Sequence, residues 1–189
     1  MSDALRTKTF SSIVGKLHRN TKIQTISTAT IELSHLCNFS CPHCYIRTSE
    51  KCDSELTIKE FIQISKELQK LNCVNVVLTG GEPLLHPLFD KIYRIFKRAG
   101  FFVTVMTNGY LLNKFLKLFI ELPPKSIEIS LYGITQIVFS TVTNKQYDYR
   151  TVLNNIVEAN KHNMRLKLKA VLLKNNTTEI SKYKEFAKS

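Results

Sequence analysis

The sequence predicts an α/β fold built from parallel strands, and three observations support this prediction. Hydrophobic periodicity switches between strand-like and helix-like patterns about five times, as in consecutive βα units with right-handed crossovers. With 189 residues, 43% of them hydrophobic, the chain is long enough to form one well-packed core. Short segments rich in polar residues or glycine follow the predicted strands directly, which is typical of sites in parallel α/β folds.

The first half of the chain contains three predicted strands separated by two predicted helices. Alternating or apolar runs predict the strands at 28–33, 74–79 and 101–106. Thr57 and Glu60 have the spacing of a capping box, which begins a helix that ends near Asn72. The second helix is predicted over 88–99, and Gly100 is well placed to end it.

The second half of the chain continues the same alternation. Predicted helices span 111–122, 150–163 and 177–188, and predicted strands span 126–131 and 164–173. The first of these helices should end at Pro123, because proline does not continue a helix. No linker or low-complexity segment separates the two halves, so we expect a single domain.

Five loops that carry informative residues each follow a predicted strand. They lie at 37–45, 80–83, 107–109, 130–133 and 174–176. Because the carboxyl ends of parallel strands share one edge of the sheet, we expect these loops to converge in space. The sequence therefore predicts one site at this edge.

The loop after the first strand contains three cysteines, Cys37, Cys41 and Cys44, with the spacing C-x3-C-x2-C. A four-iron cluster held by three thiolates keeps one iron without a protein ligand, and that iron can bind a small molecule. A structural zinc site would need a fourth ligand, which His35 or His43 could supply. The spacing favours the iron–sulfur interpretation but leaves the zinc interpretation open.

The two remaining cysteines do not form a second metal-binding pair. Cys73 lies among apolar residues at a helix-to-strand junction and is predicted to be a small buried hydrophobic residue. Cys52 lies in a polar segment and has no predicted role. Five cysteines, an odd number with three close together, favour metal binding in a reducing compartment over disulfide bonds.

The cysteine loop and the loop that follows it form a familiar pair of motifs. Asn38, Pro42 and Tyr45 accompany the three cysteines of 37–44, and Gly-Gly-Glu-Pro occupies 80–83, one βα unit later. Together they resemble the cluster motif and the methionine-binding motif of the radical S-adenosylmethionine (SAM) enzymes. The resemblance extends along nearly the whole chain from its first predicted strand. It is greatest to the core domain of radical SAM/SPASM maturases of peptides or cofactors.

The resemblance implies a fold and a domain organisation. The fold would be a partial (β/α) barrel of parallel strands, similar to a TIM barrel and ending after about five βα units. Residues 28–189 would form a radical SAM core that is incomplete at its C-terminus, preceded by an N-terminal extension at 1–27. Many relatives carry Asp where this chain carries Tyr132.

The resemblance also implies cofactors and a reaction. Three irons of a [4Fe–4S] cluster would be bound by Cys37, Cys41 and Cys44, and the fourth iron would bind SAM. One electron from the reduced cluster would break SAM into methionine and a 5′-deoxyadenosyl radical, which abstracts hydrogen from the substrate. The residues implied to bind SAM are Tyr45, Gly80, Gly81, Glu82, Pro83, Asn108, Ser130 and Val171.

Most of these assignments have a simpler structural alternative. Gly80 and Gly81 could form a tight turn, and Asn108 with the following glycine could form another. Ser130 could be a surface hydroxyl group. Val171 could simply belong to a buried strand, and the ring of Tyr45 could pack beside the cysteine loop.

Charge and hydropathy narrow the choice of partners. The net charge is +12, but the basic residues are spread along the chain, which disfavours nucleic-acid binding and is compatible with an acidic peptide. No apolar run is long enough to cross a membrane, and 1–20 lacks the pattern of a signal peptide, so we expect a cytoplasmic protein. The expected partners are a small-molecule or peptide substrate, an electron donor such as flavodoxin or ferredoxin, and a partner chain or dimer that covers the open barrel edge.

Three functional hypotheses follow from the sequence. The first is a radical SAM enzyme core with an unknown substrate. The second is a catalytically silent iron–sulfur module that binds a cluster or transfers electrons. The third is a zinc-dependent nucleic-acid-binding protein, which the Gly-Gly-Glu-Pro motif and the strand-end pattern disfavour.

Overall fold

The structure, a computed structural model, describes residues 26–46 and 55–188. Five parallel strands form one sheet in the order β1-β2-β3-β4-β5. The strands are β1 Thr28–Glu32, β2 Asn75–Thr79, β3 Phe102–Thr107, β4 Ser126–Ser130 and β5 Leu166–Lys169. Each strand therefore lies beside the next strand in the sequence, as in a barrel that is not closed. The predicted parallel α/β fold is confirmed.

The helices connect the strands and flank the sheet. They are α1 Ile58–Lys70, α2 Phe89–Arg98, α3 Leu116–Glu121, α4 Gln136–Thr143, α5 Arg150–Lys161 and α6 Ile180–Phe186. Short 3-10 helices lie at Pro83–Leu85, Leu112–Phe115 and Thr177–Glu179. None of the helices in the described ranges is both long enough and apolar enough to cross a membrane.

The signals at the helix ends operate as predicted. Thr57 and Glu60 form a reciprocal capping box: the Glu60 N–H donates to Thr57 Oγ1 at 3.3 Å, and the Thr57 N–H donates to Glu60 Oε2 at 2.7 Å. Gly100 follows α2 with a φ of +90°, a conformation that glycine adopts without steric cost. The capping box and the glycine therefore fix where α1 begins and where α2 ends.

The structure differs from the sequence predictions at several helices and strands. The helix predicted over 111–122 is divided into a 3-10 helix and the short α3. The helix α4 was not predicted, because its valines and threonines are typical of strands. The strand predicted over 164–173 ends at Lys169.

A buried asparagine explains why β5 ends early. Asn176 is 0% exposed, and its Nδ2 donates to the Val171 carbonyl at 2.8 Å, while its Oδ1 accepts the Leu173 N–H at 2.7 Å. These bonds hold the segment after β5 in a loop rather than in the sheet. The apolar run at 170–173 does not predict this loop, because the loop depends on a single buried side chain.

The two faces of the sheet differ in character. The face that packs on the helices is apolar, and its fully buried residues include Val76, Leu78, Val103, Val105, Ile127 and Ile129. The opposite face, which we call the polar face, carries the alternate residues of each strand, among them Thr104, Ser126, Glu128, Lys167 and Lys169. Helix packing on one face accounts for the core and leaves the polar face to the interior of the open barrel.

Two sequence predictions concern residues outside the main site. Cys73 is 6% exposed, and its Sγ lies 3.3 Å from the Asn75 carbonyl, which confirms it as a small buried residue. Cys52 and nearly all of the proposed N-terminal extension lie outside the described residues.

Candidate cofactor site

The loops that follow the first three strands are joined by direct hydrogen bonds. The Gly81 N–H donates to the Ser34 carbonyl at 2.8 Å, and the Glu82 N–H donates to the Leu36 carbonyl at 2.8 Å. The loop after β3 joins them, since Asn108 Nδ2 donates to Asn38 Oδ1 at 2.8 Å. The expected convergence of motifs at one edge of the sheet is therefore present.

The two glycines permit the close approach of the β2 loop to the cysteine loop. A Cβ atom on Gly80 would collide with the Ser34 carbonyl oxygen, and one on Gly81 would lie 2.6 Å from the His35 carbonyl oxygen. Gly80 also has a φ of +144°, which other residues rarely adopt. Within the described part of the chain, no hydrogen bond reaches the carbonyl oxygens of Gly80 and Gly81, so both can accept one from a ligand.

The carboxylate of Glu82 links the β2 and β3 loops from inside the protein. Glu82 is 0% exposed and accepts hydrogen bonds from Thr107 Oγ1 at 2.7 Å, the Asn108 N–H at 2.7 Å and the Leu84 N–H at 3.1 Å. Burial raises the pKa of Glu82 to about 7, although these donors favour its ionised form. The Glu82 carboxylate therefore bonds to groups of the protein itself. The buried Pro83 begins the 3-10 helix that follows.

Asn108 directs its side chain into the cysteine loop. Its Nδ2 lies 3.8 Å from Cys37 Sγ in addition to its bond with Asn38, and its Oδ1 accepts the Tyr110 N–H at 3.0 Å. The Phe39 N–H also donates to Cys37 Sγ at 3.4 Å. Asn108 therefore positions the first cysteine of the motif.

The three cysteines differ in exposure, and two of their thiols are hard to ionise. Cys37 and Cys41 are half-buried, and Cys44 is exposed. Burial raises the pKa of Cys37 to about 11, and burial together with repulsion from Cys37 and Cys44 raises that of Cys41 to about 12. Thiolates crowded in this way are stabilised by a bound cationic centre, which removes their mutual repulsion.

The arrangement fits a cluster better than a single ion. Across residues 26–46 and 55–188, no three His, Cys, Asp or Glu side chains converge closely enough to hold one metal ion. An iron–sulfur cluster does not require such convergence, because each thiolate binds a different iron. Two atoms of the cysteine loop, Asn38 Nδ2 and His43 Nδ1, are also buried without a hydrogen-bond partner among the described residues, and a bound group could satisfy them.

The neighbouring histidines, which are the candidates for a fourth zinc ligand, have other contacts. His35 Nε2 lies 3.6 Å from the Glu32 carboxylate, and the His43 ring lies 5.7 Å from the Tyr132 ring. The contact of His35 with Glu32 favours the cluster interpretation over a zinc site that includes His35.

Tyr132 is a site residue whose role sequence reasoning missed. Its side chain lies beside the Ser130 side chain and Cys41, and burial raises its pKa above the ordinary value of a tyrosine. The phenol therefore remains protonated and can donate to the cysteine sulfur. Ser130 is half-buried at the end of β4 and supports this tyrosine.

An aromatic cluster under the cysteine loop was also missed. Phe39 is 1% exposed, and its ring lies 5.4 Å from the Phe139 ring and 6.0 Å from the rings of Tyr110, Tyr132 and Tyr147. A lone phenylalanine between cysteines was the only signal in the sequence. These contacts anchor a loop that has little regular structure of its own.

A cavity of about 670 Å³ adjoins the cysteine loop. Its lining residues are Pro42, His43, Thr141, Val142, Leu173, Lys174 and Asn175. It therefore lies between the cysteine loop, α4 and the loop after β5, where the sequence placed the fifth motif. A larger cavity of about 750 Å³, lined by Lys97, Lys125 and Arg165 among others, lies at the amino ends of the strands, away from the cysteine loop.

Two of the predicted SAM contacts lie at exposed positions. Tyr45 is 82% exposed, and Val171 is 48% exposed in the loop that follows β5. These two assignments, like the other predicted SAM contacts, stay predictions.

The family model of the radical SAM superfamily matches residues 31–187. The chain belongs to the radical SAM superfamily. Enzymes of this family use a [4Fe–4S] cluster and SAM, so the predicted family, fold and cofactors agree with the match.

Individual relatives and a solved structure support the same family. The chain is 29% identical over 154 residues to a probable GTP 3′,8-cyclase of Pyrobaculum aerophilum, and the aligned region covers 80% of this chain and 50% of that relative. It is 34% identical over 90 residues to the antilisterial bacteriocin subtilosin biosynthesis protein AlbA of Bacillus subtilis, covering 46% of this chain and 19% of AlbA. Streptococcus suis SuiB bound to S-adenosylmethionine has the same fold, with a TM-score of 0.79, 16% identity and coverage of 92% of this chain and 40% of SuiB. The chain thus spans about half the length of the cyclase that it matches.

Proposed function

We propose that this chain is the core of a radical SAM enzyme that binds a [4Fe–4S] cluster through Cys37, Cys41 and Cys44 and binds SAM beside it. The observation that carries the proposal is the chain of hydrogen bonds from Cys37 through Asn108 to Glu82, which fixes the cysteine loop against the Gly-Gly-Glu-Pro loop. When bound, the reduced cluster supplies the electron that splits SAM into methionine and a 5′-deoxyadenosyl radical.

Several residues of the chain would contribute to the binding of SAM. The free carbonyl oxygens of Gly80 and Gly81 would accept hydrogen bonds from the amino group of SAM, since an ammonium group is a donor only. Ser130 and Tyr132 would lie beside the same ligand, with Tyr132 donating to Cys41. The cavity beside the cysteine loop would receive the rest of the molecule and exclude water from it.

The substrate and the partners belong to the same proposal. The named relatives include a probable GTP cyclase and a bacteriocin biosynthesis protein, which supports either a small molecule or a peptide as substrate. We also propose an electron donor such as flavodoxin or ferredoxin, a cytoplasmic location and a core that begins near residue 28. Among the described strands, β1 and β5 have one free edge each, which a further strand or a partner chain would cover.

Anaerobic reconstitution followed by EPR spectroscopy tests the proposal. We expect the chain reduced with dithionite to give a [4Fe–4S] signal that changes when SAM is added, and to form 5′-deoxyadenosine without any substrate. The Cys37→Ser variant should lose the cluster, whereas Cys73→Ser, at a buried cysteine outside the motif, should retain it. A cluster signal indifferent to SAM would support the silent iron–sulfur module instead, and zinc in place of iron would overturn both.

A further inference from the structure

The polar face of the sheet carries a cationic group that the proposed cofactor chemistry does not use. The strand β5 has the sequence Leu-Lys-Leu-Lys, and its leucines pack against the core. Its two lysines lie on the polar face, where Lys167 is aligned with Glu128 and Lys169 with Ser130. The alternation of β5 thus places two ammonium groups inside the open barrel.

Both lysines contact the same carboxylate. Lys167 Nζ lies 3.1 Å from Glu128 Oε1, and Lys169 Nζ contacts Glu128 Oε2. The Glu128 side chain is 10% exposed, whereas those of Lys167 and Lys169 are 55% and 51% exposed. Burial opposes ionisation of Glu128, but the hydrogen bonds and charges of the lysines hold its pKa below the ordinary value. The trio therefore contains two positive charges and one negative charge.

Among the described residues, Glu128 is the carboxylate that pairs with these two lysines. Within the five described strands the acidic residues are Glu32 and Glu128, and Glu32 lies on the opposite edge strand beside His35. Two other polar groups of this face, Thr104 on β3 and Ser126 on β4, contact each other at 3.3 Å. One lysine would suffice to neutralise Glu128, so the second provides a charge that the fold does not need.

The cationic group is connected to the cysteine loop. Lys169 is aligned with Ser130, whose side chain lies beside Tyr132, and Tyr132 lies beside Cys41. A ligand held by the lysines would therefore lie on the same side of the sheet as the proposed cofactors. Glu128 also restrains two otherwise flexible side chains, which reduces the entropy lost on binding.

We propose that Lys167 and Lys169, oriented by Glu128, bind an anionic group of the substrate, a phosphate or a carboxylate, and so hold the substrate beside the cysteine loop. This assignment rests on the proposed function and adds the chemical class of the substrate to it. Two ammonium groups on adjacent positions of one strand face match the charge and the multiple acceptor oxygens of either anion.

Anion binding by the reconstituted chain, loaded with cluster and SAM, tests the assignment. Pyrophosphate and succinate are titrated separately by calorimetry at low ionic strength, and tighter binding of one identifies the phosphate or the carboxylate class. We expect the Lys167→Gln/Lys169→Gln variant to bind the preferred probe at least tenfold more weakly. The matched control is Lys182→Gln/Lys184→Gln, which removes the same charge from exposed positions of α6 and should change the affinity less than threefold.

Further measurements separate the possible outcomes. The Lys167→Arg/Lys169→Arg variant keeps the charge and should retain binding within about threefold. The assignment is overturned if neither probe binds, if the control loses as much affinity as the β5 variant, or if the β5 variant binds SAM tenfold more weakly, because the lysines would then serve SAM itself. Formation of 5′-deoxyadenosine by the unsubstituted chain is measured without any probe, so failure of the proposed function is detected independently.

Discussion

The backbone N–H of Asn108 donates to the buried carboxylate of Glu82 at 2.7 Å. This bond joins the loops that follow β2 and β3. Both residues also bond to the cysteine loop: the Glu82 N–H donates to the Leu36 carbonyl, and the Asn108 side chain donates to Asn38. The glutamate of the Gly-Gly-Glu-Pro motif therefore has an architectural task. It fixes the distance between three loops that meet at the site.

Removing this carboxylate should destabilise the chain. The Glu82→Ala variant leaves the Thr107 hydroxyl and the Asn108 and Leu84 N–H groups without their acceptor in a buried place. We expect the free energy of unfolding to fall by about 3 kcal/mol, as measured by denaturant titration of the cluster-free chain. Glu185→Ala, at an exposed position of α6, is the control and should change it by less than about 0.5 kcal/mol. Equal effects of the two substitutions would contradict the architectural role.

The same residue should make stability depend on pH in an unusual direction. Burial raises the pKa of Glu82 to about 7 in the folded chain, above its ordinary value of 4.5. Between these two values the folded state holds a proton that the unfolded state has released, so the contribution of Glu82 to stability is greatest below pH 4.5 and falls as the pH rises to about 7. The difference in unfolding free energy between the original chain and Glu82→Gln, measured across this range, isolates the effect. If this difference in unfolding free energy does not change with pH, Glu82 is ionised over the whole range.

The sequence predicted the sheet well because a parallel strand buried on one face has a strong apolar signature. All five strands were found, and the capping box at Thr57 gave the start of α1 correctly. The cysteine spacing and the Gly-Gly-Glu-Pro motif also predicted which loops would meet. These features are local, so the sequence displays them directly.

The predictions that failed depend on side-chain contacts that hydrophobic periodicity does not encode. The early end of β5 depends on the buried Asn176, and the sequence gives no indication that this asparagine satisfies the loop backbone. The roles of Tyr132 and Phe39 depend mainly on contacts with residues about 70 or more positions away, which no periodicity encodes. The close approach of Gly80 and Gly81 to the cysteine loop also depends on contacts that the sequence does not display.

Filling the space at Gly81 should disturb the cysteine loop. A Cβ atom there would lie 2.6 Å from the His35 carbonyl oxygen, so the Gly81→Ala variant must separate the two loops. We expect the iron bound per chain after reconstitution to fall to less than half. Gly100→Ala is a suitable control, since that glycine has a φ of +90° but a Cβ atom there would contact nothing within 4 Å. It should cost about 1 kcal/mol of stability through backbone strain and leave the iron content unchanged. Full iron loading of Gly81→Ala would show that the close approach is not needed.

The hydroxyl group of Tyr132 should tune the proposed cluster. A hydrogen bond donated to a ligating sulfur stabilises the reduced, more negative cluster, and the Tyr132 side chain lies beside Cys41, where its hydroxyl group can donate. The Tyr132→Phe variant should therefore lower the midpoint potential by on the order of 40 mV, the equivalent of one hydrogen bond in a one-electron couple. Potentiometric titration monitored by EPR measures the shift. Tyr147→Phe removes the same atom from a neighbouring ring of the aromatic cluster and should leave the potential unchanged. A potential that is the same in both variants would mean that the Tyr132 hydroxyl serves packing and Ser130 rather than the sulfur.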